Sequence, residues 1–315
     1  MRRPSLLTRA HWTSTLPVNH LTEFQLLLQT FAVGLQDIVL LQDFMCFASG
    51  QTGNAVKLAT GFASASSYHS SPSSSSSNHN HVSNYACLIP PAISLGAFVF
   101  GVFTTGRLAA VFGPRKRLLQ VSLGLVQMLG LTAAALVLRF SQNNNSSQNA
   151  HHTQTLNPTT LPSRLSLALL SAATASQIAA ARAWDVPEIT TAMATGAVVD
   201  LFNDPRFFAR QNRGRDLRVL FLVVLVAGCA SAAGLRRWVG LGASGILGVS
   251  IGVKGVGVGV LGGMVGRGSW DAEEGEGGFW GERDGDRMSV NGDGAGDALG
   301  VDVDVEEGRR GRKPG

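Results

Sequence analysis

A short phrase occurs twice in this chain, and its residue types suit the binding of a small polar solute. Thr52-Gly53-Asn54-Ala55-Val56-Lys57-Leu58 is answered by Thr195-Gly196-Ala197-Val198-Val199-Asp200-Leu201. Each phrase follows an apolar segment that carries a glutamine, Gln36 in the first copy and Gln177 in the second. Glycine lets the backbone leave helical geometry, which frees carbonyls and amides. Thr52 and Asn54 add short polar side chains that can replace lost backbone bonds. Helix ends freed in this way point partial charges at a bound solute, as in secondary transporters. The plainer alternative is a tight turn with a capping threonine.

The segment before the first phrase is polar for a membrane helix. Gln29, Gln36 and Asp43 recur at intervals of seven and so lie along one helical face, with Asp37 one position round from Gln36. A carboxylate at mid-membrane costs ~2.5–3.5 kcal/mol on insertion scales, so it normally faces the bundle interior with a partner. Asp37 is therefore either a proton or cation site or an interhelical hydrogen bond that fixes packing. Asp43 lies nearer the end of its segment, where a structural role is expected. In hydrocarbon, irregular backbone and buried polar groups survive only where protein or water satisfies them. Gln36, Asp37, Thr52, Gly53, Asn54, Gln177, Thr195 and Gly196 are thus expected to line one cavity and bind the solute. The copies differ in charge: Lys57 stands where the second has Asp200, and Asp37 aligns with Ile178.

Segments of membrane character must position these residues. Of the 315 residues only 15% are charged, against about 25% in a typical soluble domain. Most charges lie in the N-terminus, the loops and the C-terminal tail. Six apolar segments separate them: 24–48, 88–112, 118–138, 165–183, 217–235 and 239–265. Each is near the ~20 helical residues that cross a bilayer core. The last carries ten glycines and Lys254. An interior glycine costs ~1 kcal/mol of helix propensity, so this segment is either a closely packed helix or no regular span at all.

The remaining segments are a short N-terminal arm (1–23), two low-complexity loops (63–85 and 141–163) and a Gly/Asp/Glu-rich tail (267–315). The loops bury too little apolar surface to fold alone, and the tail is expected to be disordered. Arg2, Arg3 and Arg9 precede the first span, Arg115, Lys116 and Arg117 follow the second, and Arg206, Arg210, Arg213 and Arg215 follow the fourth. Six spans put all three groups on one side, which the positive-inside rule makes the cytoplasm. The transmembrane region, 24–266, then divides into repeats 24–138 and 165–265. An odd number of spans per repeat inverts the second copy relative to the first. The expected fold is an all-α integral membrane bundle of about six helices, built as two inverted three-helix repeats.

Other chemistries lack a signature. The net charge of +5 comes from residues next to apolar ends, as membrane anchors do, so no nucleic-acid partner is expected. Cys46, Cys87 and Cys229 have no metal-ligand spacing. Cys46 and Cys87 could pair across one face, but three isolated thiols is the simpler reading. Gly240-Leu241-Gly242-Ala243-Ser244-Gly245 matches a dinucleotide loop in letters only, since no strand precedes it and no acid follows about 20 residues on. No metal, cofactor or catalytic activity is expected. Ala97 with Gly101, and Gly228 with Ala232, are small-residue pairs that suit close helix packing.

Gly34-Leu35-Gln36-Asp37, Cys46-Phe47-Ala48 and Gln51-Thr52-Gly53-Asn54, with Gln177, Arg182 and Thr195-Gly196 in the second half, resemble the YoaK family in its fungal-type form. These are multi-pass membrane proteins with a domain of unknown function. Ala175-Ser176-Gln177 departs from the more usual Gly-Leu-Gln, and the glycine-dense last segment is atypical. The resemblance implies a membrane fold and no agreed activity.

The expected function is a small-solute transporter or permease, with Asp37 as the candidate proton-coupling group. A non-transporting scaffold or sensor is the alternative. The partners are the lipid bilayer and an unidentified small solute. The plasma membrane is the expected location. The basic, acid-free N-terminus also suits a mitochondrial one. Asn144 and Asn145 each begin a glycosylation sequon in the loop assigned outside. Expression in a eukaryotic host should therefore yield a glycan at one of them, seen as a gel shift removed by endoglycosidase. Cleavage of that loop by protease from the cytoplasmic side alone reverses the topology.

Overall fold

The computed structural model describes residues 12–67, 88–146 and 160–264. Among these residues the architecture is all-α, and the one β-type contact is an isolated bridge between Thr15 and Lys116. The helices are α1 (His20–Phe44), α2 (Gln51–Ser67), α3 (Ile89–Phe112), α4 (Arg117–Ser146), α5 (Leu161–Arg182), α6 (Ala194–Phe202), α7 (Arg213–Gly234) and α8 (Ala243–Gly263), with a π-helical turn at Leu235–Val239. Five are long and apolar enough to cross a membrane: α1, α3, α4, α7 with its π turn, and α8. The chain is a multi-pass membrane protein. Phe100 and Phe103 on α3, Leu125 and Leu129 on α4, and Val223 and Val226 on α7 stand exposed, as a hydrocarbon solvent permits.

Local chemistry sets the helix limits. Asn19 accepts from the Thr22 amide while the Thr22 hydroxyl reaches back to the Asn19 amide, a capping box that starts α1 four residues before the apolar run. Prolines open α3 and α5, where a missing N–H costs nothing. The Asn212 side chain caps α7 by accepting from the Arg215 amide. Asn212 also donates to Asp204 at 2.8 Å, and with the Arg206 amide it holds that carboxyl below the usual carboxylate range. α2 and α4 run further than the apolar segments and enter the low-complexity loops.

The glycine-dense segment is a regular helix. α8 packs against α1 and α4 and buries Ala243, Ile246, Leu247, Ser250, Lys254, Gly257 and Leu261, a stripe at helical spacing. Where its glycines face neighbours, large side chains enter. The Met128 methyl lies 3.3 Å from a Cβ built on Gly255. Tertiary packing outweighs the low propensity.

α5 is absent from the apolar set although it has 22 residues. It buries Ser163, Ser166, Ser171, Thr174 and Gln177 and packs mainly on α3 and α4, with a lighter contact to α1. Its direction follows from its contacts. Ser171 meets Ser94, Ser176 meets Thr105, and Ala183 accepts from Arg115, so α5 runs parallel to α3 over the length of the bundle. α1 and α7 run parallel in the same sense: Arg213 pairs with Glu23 near their starts and Arg236 with Asp43 near their ends.

The basic residues gather at one end. Arg117 N–H donates to Ser14 O at 3.2 Å, Arg115 to Ala183 O at 3.1 Å, and the Arg117 guanidinium to Met264 O after α8. The starts of α1 and α7, the α3–α4 turn and the ends of α5 and α8 therefore share that end. Arg2, Arg3, Arg9, the histidines of the serine tract, Cys87 and the 267–315 tail lie outside the described residues. Cys46 and Cys229 are free thiols.

The parallel pairs cross at glycine. A Cβ on Gly228 would lie 2.4 Å from Phe31 O, and one on Gly101 2.6 Å from Ala172 O. Backbone cannot swing aside as a side chain can, so Gly228→Ala should cost ~1–3 kcal/mol as overpacking. It should lower the Tm in detergent. Gly248→Ala, with nothing within 4 Å of the added carbon, should not lower it. An unchanged Tm for Gly228→Ala would contradict the close crossing.

Candidate functional site

Buried polar side chains form two linked groups, one at the turn after α1 and one in the middle of the bundle. The turn Met45–Gly50 is held from both sides. Asp37 accepts from the amides of Ala48 at 3.2 Å and Ser49 at 3.1 Å, and from the Ser49 hydroxyl. Asn54, fully buried, pairs its amide with the backbone of Phe47: Phe47 N–H donates to Oδ1 at 3.0 Å and Nδ2 donates to Phe47 O at 2.8 Å. Asn54 also donates to Ser94 Oγ at 3.1 Å, and Ser171 Oγ donates to the same oxygen at 2.9 Å. The turn is thereby joined to α3 and α5.

The central group, two sets of hydrogen bonds, touches five helices. Gln36 on α1 donates to Ser250 Oγ on α8 at 2.8 Å and accepts from Thr174 Oγ1 on α5 at 2.9 Å. One turn along α5, Gln177 Nε2 donates to Gln29 O at 2.9 Å. A backbone carbonyl can only accept, so this bond fixes the amide and turns Gln177 Oε1 toward α8. Lys254 Nζ donates to that oxygen and to Gln127 Oε1 on α4, the latter at 3.1 Å. Gln127 continues to Ser176 at 3.4 Å and Ser176 accepts from Thr105 at 2.9 Å. Lys254 is 3% exposed.

The eight expected site residues fall into three places. Gln36 and Gln177 lie in the central group, each in its own set of hydrogen bonds. Asp37 and Asn54 hold the turn, with Gly53 beside the Phe47 ring and Thr52 exposed. Thr195 and Gly196 are exposed in the first turn of α6. Both Thr-Gly pairs are helical; the irregular backbone lies before them, at 45–50 and 183–193. A cleft at the basic end is lined by Glu23, Arg210, Arg213 and Leu217 among others, and by none of the eight.

The residues match a family model over 25–260, described as a protein of unknown function, DUF1275. The chain belongs to this family. No curated protein and no solved structure matches the chain at a significant level. The match spans both polar groups and all six long helices of this DUF1275 protein, including the glycine-dense α8.

Lys254, Ser250, Thr174 and Gln127 went unnoticed as site residues in the sequence. A lone lysine in an apolar run was the available signal for the first. The others are serine, threonine and glutamine within apolar helices, and only the packing reveals that they converge. Among the described residues no group of His, Cys, Asp and Glu could hold a metal ion.

Asn54→Leu removes the partner of the Phe47 N–H while keeping a side chain of similar size; the Phe47 carbonyl keeps the Ser94 hydroxyl at 2.8 Å. One backbone amide left unmade should cost about 1–3 kcal/mol, read as a lower Tm. Protease should then cut faster at 45–50. A variant as stable as the parent would mean that the turn does not depend on Asn54.

Proposed function

We propose that this DUF1275 protein is a transporter or permease for a small polar solute, built as two inverted three-helix repeats about the central network. The observation that carries the reading is that network itself. Gln36 and Gln177, the equivalent glutamines of the two halves, each hold a set of buried hydrogen bonds between helices, α1, α5 and α8 about Gln36 and α1, α3, α4, α5 and α8 about Gln177. Polar groups in the middle of membrane helices are expensive and mark solute or ion pathways.

The helix contacts support the repeat. Exchanging α1 with α5, α3 with α7 and α4 with α8 turns the α3–α5 pair into α7–α1 and the α4–α5 pair into α8–α1, and all four pack closely. The register agrees. Aligning Gln36 on Gln177 puts Phe31 and Gly34 on Ala172 and Ala175, and these are the residues that Gly228 and Gly101 meet. With α5 counted, six helices cross. The start of α1 and the end of α8 then lie at the basic end, assigned to the cytoplasm, and the plasma membrane is the assigned location. The solute passes without chemical change, so no enzymatic step is assigned.

One observation favours the non-transporting scaffold or sensor. Every side-chain oxygen of Asp37 is engaged by the 45–50 turn, which suits an anchor. Proton coupling through Asp37 requires that turn to let go.

Reconstitution into vesicles with a broad panel of small metabolites tests the reading. Uptake of at least one solute is expected, reduced tenfold or more by Gln36→Leu in protein that remains folded and inserted. Asp37→Asn should abolish uphill movement if the acid couples protons. No uptake of any panel solute, with Gln36→Leu altering only stability, leaves the scaffold reading in its place.

A further inference from the structure

Lys254 is a buried lysine whose recorded partners are neutral. Its two acceptors are glutamine oxygens, and among the described residues no carboxylate pairs with it. The helices around it supply none: α4, α5 and α8 contain no Asp or Glu. The three acids of α1 are engaged elsewhere, Glu23 with Arg213, Asp37 with Ala48 and Ser49, and Asp43 with Arg236. Two donated bonds leave the third N–H of an ammonium group unused. A lone buried charge is costly and is normally met by an opposite one.

A second observation lies beside it. Gln25 on α1 is 1% exposed, and both of its side-chain polar atoms are buried with no hydrogen-bond partner. Gln29 Oε1, one turn further, is in the same condition. Gln25 is directed at α8, where its Cγ lies 3.7 Å from a Cβ built on Gly257. Gly257 is three residues beyond Lys254 on the same helix face. Gly257 therefore leaves the face of α8 open, one turn beyond Lys254, toward an unused amide whose Nε2, like the lysine amine, is a hydrogen-bond donor. Serine, valine or leucine there would fill that place.

We propose that Lys254 and Gln25 form a site for a small anion, a carboxylate or an inorganic anion, at the core of the bundle. The ammonium supplies the charge and one N–H. The Gln25 amide supplies a second donor from the opposite helix. Gln127 and Gln177 hold the ammonium in place through their oxygens. The transport reading gains a solute class from this site and is needed only for the anion's movement; binding stands apart from it.

The test is anion binding by the full chain in detergent, in a buffer whose only anion is bulky gluconate. Chloride, formate, acetate and phosphate are titrated separately, with Tm and calorimetry as readouts. For the wild type, Tm should rise with the logarithm of concentration of at least one small anion, and calorimetry should give a saturable signal. Lys254→Met should abolish both while folding well, because an apolar replacement of similar shape is tolerated at buried charges. Gln25→Leu keeps the lysine and should weaken binding tenfold or more, and Gly257→Leu should block it by volume. An anion response equal in wild type and Lys254→Met would overturn the site, as would no response to any anion. Binding without vesicle uptake would keep the site and remove the transport reading. Uptake of a neutral solute, indifferent to anions, would do the reverse.

Discussion

The polar face of α5 has to be kept from hydrocarbon, and much of the bundle's arrangement follows from that constraint. Ser166, Ser171, Thr174 and Gln177 are all fully buried. An unsatisfied polar group in the bilayer core costs several kcal/mol, so each must find a partner on another helix. Ser166 reaches its own turn and α4, Ser171 reaches α3, Thr174 and Gln177 reach α1. A helix with such obligations on several sides must be surrounded. α3 and α4 take two of its sides and α1 contributes to a third. The apolar helices are left to meet the lipid with their outer faces.

Close approach is the second condition. Hydrogen bonds between short side chains such as Ser94 and Ser171 require backbones nearer than leucine packing allows. Gly101 and Gly228 supply this by letting backbone oxygen atoms come within contact of the opposing Cα. The two crossings use different partners, alanines on α5 and Phe31 with Gly34 on α1. The geometry is the same because what matters is the absent side chain.

The turns after α1 and α5 differ. The turn after α1 is short, locked by Asp37 and Asn54, with Met45 at φ 55°. The stretch after α5 is longer and holds Asp185 and Thr191 at positive φ, 54° and 60°. Such conformations are uncommon away from glycine, and more so for a β-branched threonine. Arg115, Arg117 and Arg215 donate to carbonyls of the loops around them and so fasten the basic end. Trp238, 83% exposed beside Arg236 and Arg237 at the other end, suits the opposite interface.

The membrane character, the all-α class and the places of the long helices were legible in the sequence because hydropathy is a local property, summed over about twenty neighbours. The phrase shared by the two halves, each time behind a glutamine, was legible too, because a repeated motif needs only its spacing to be seen. Helix ends were less so: the capping box at Asn19 and the extension of α4 depend on a few side chains rather than on the apolar run. The polar centre was half legible. Its glutamines stood out, but Thr52, Gly53, Thr195 and Gly196 were grouped with them on a shared motif, and the structure seats those residues at helix starts away from Gln36 and Gln177. Lys254 went the other way, an oddity in a glycine-rich run until α8 formed and turned it toward Gln127 and Gln177. A sequence states which residues are polar. Which of them face one another is set by helix rotation, crossing and direction, and those depend on packing between segments more than 100 residues apart, as in the Lys254–Gln127 contact.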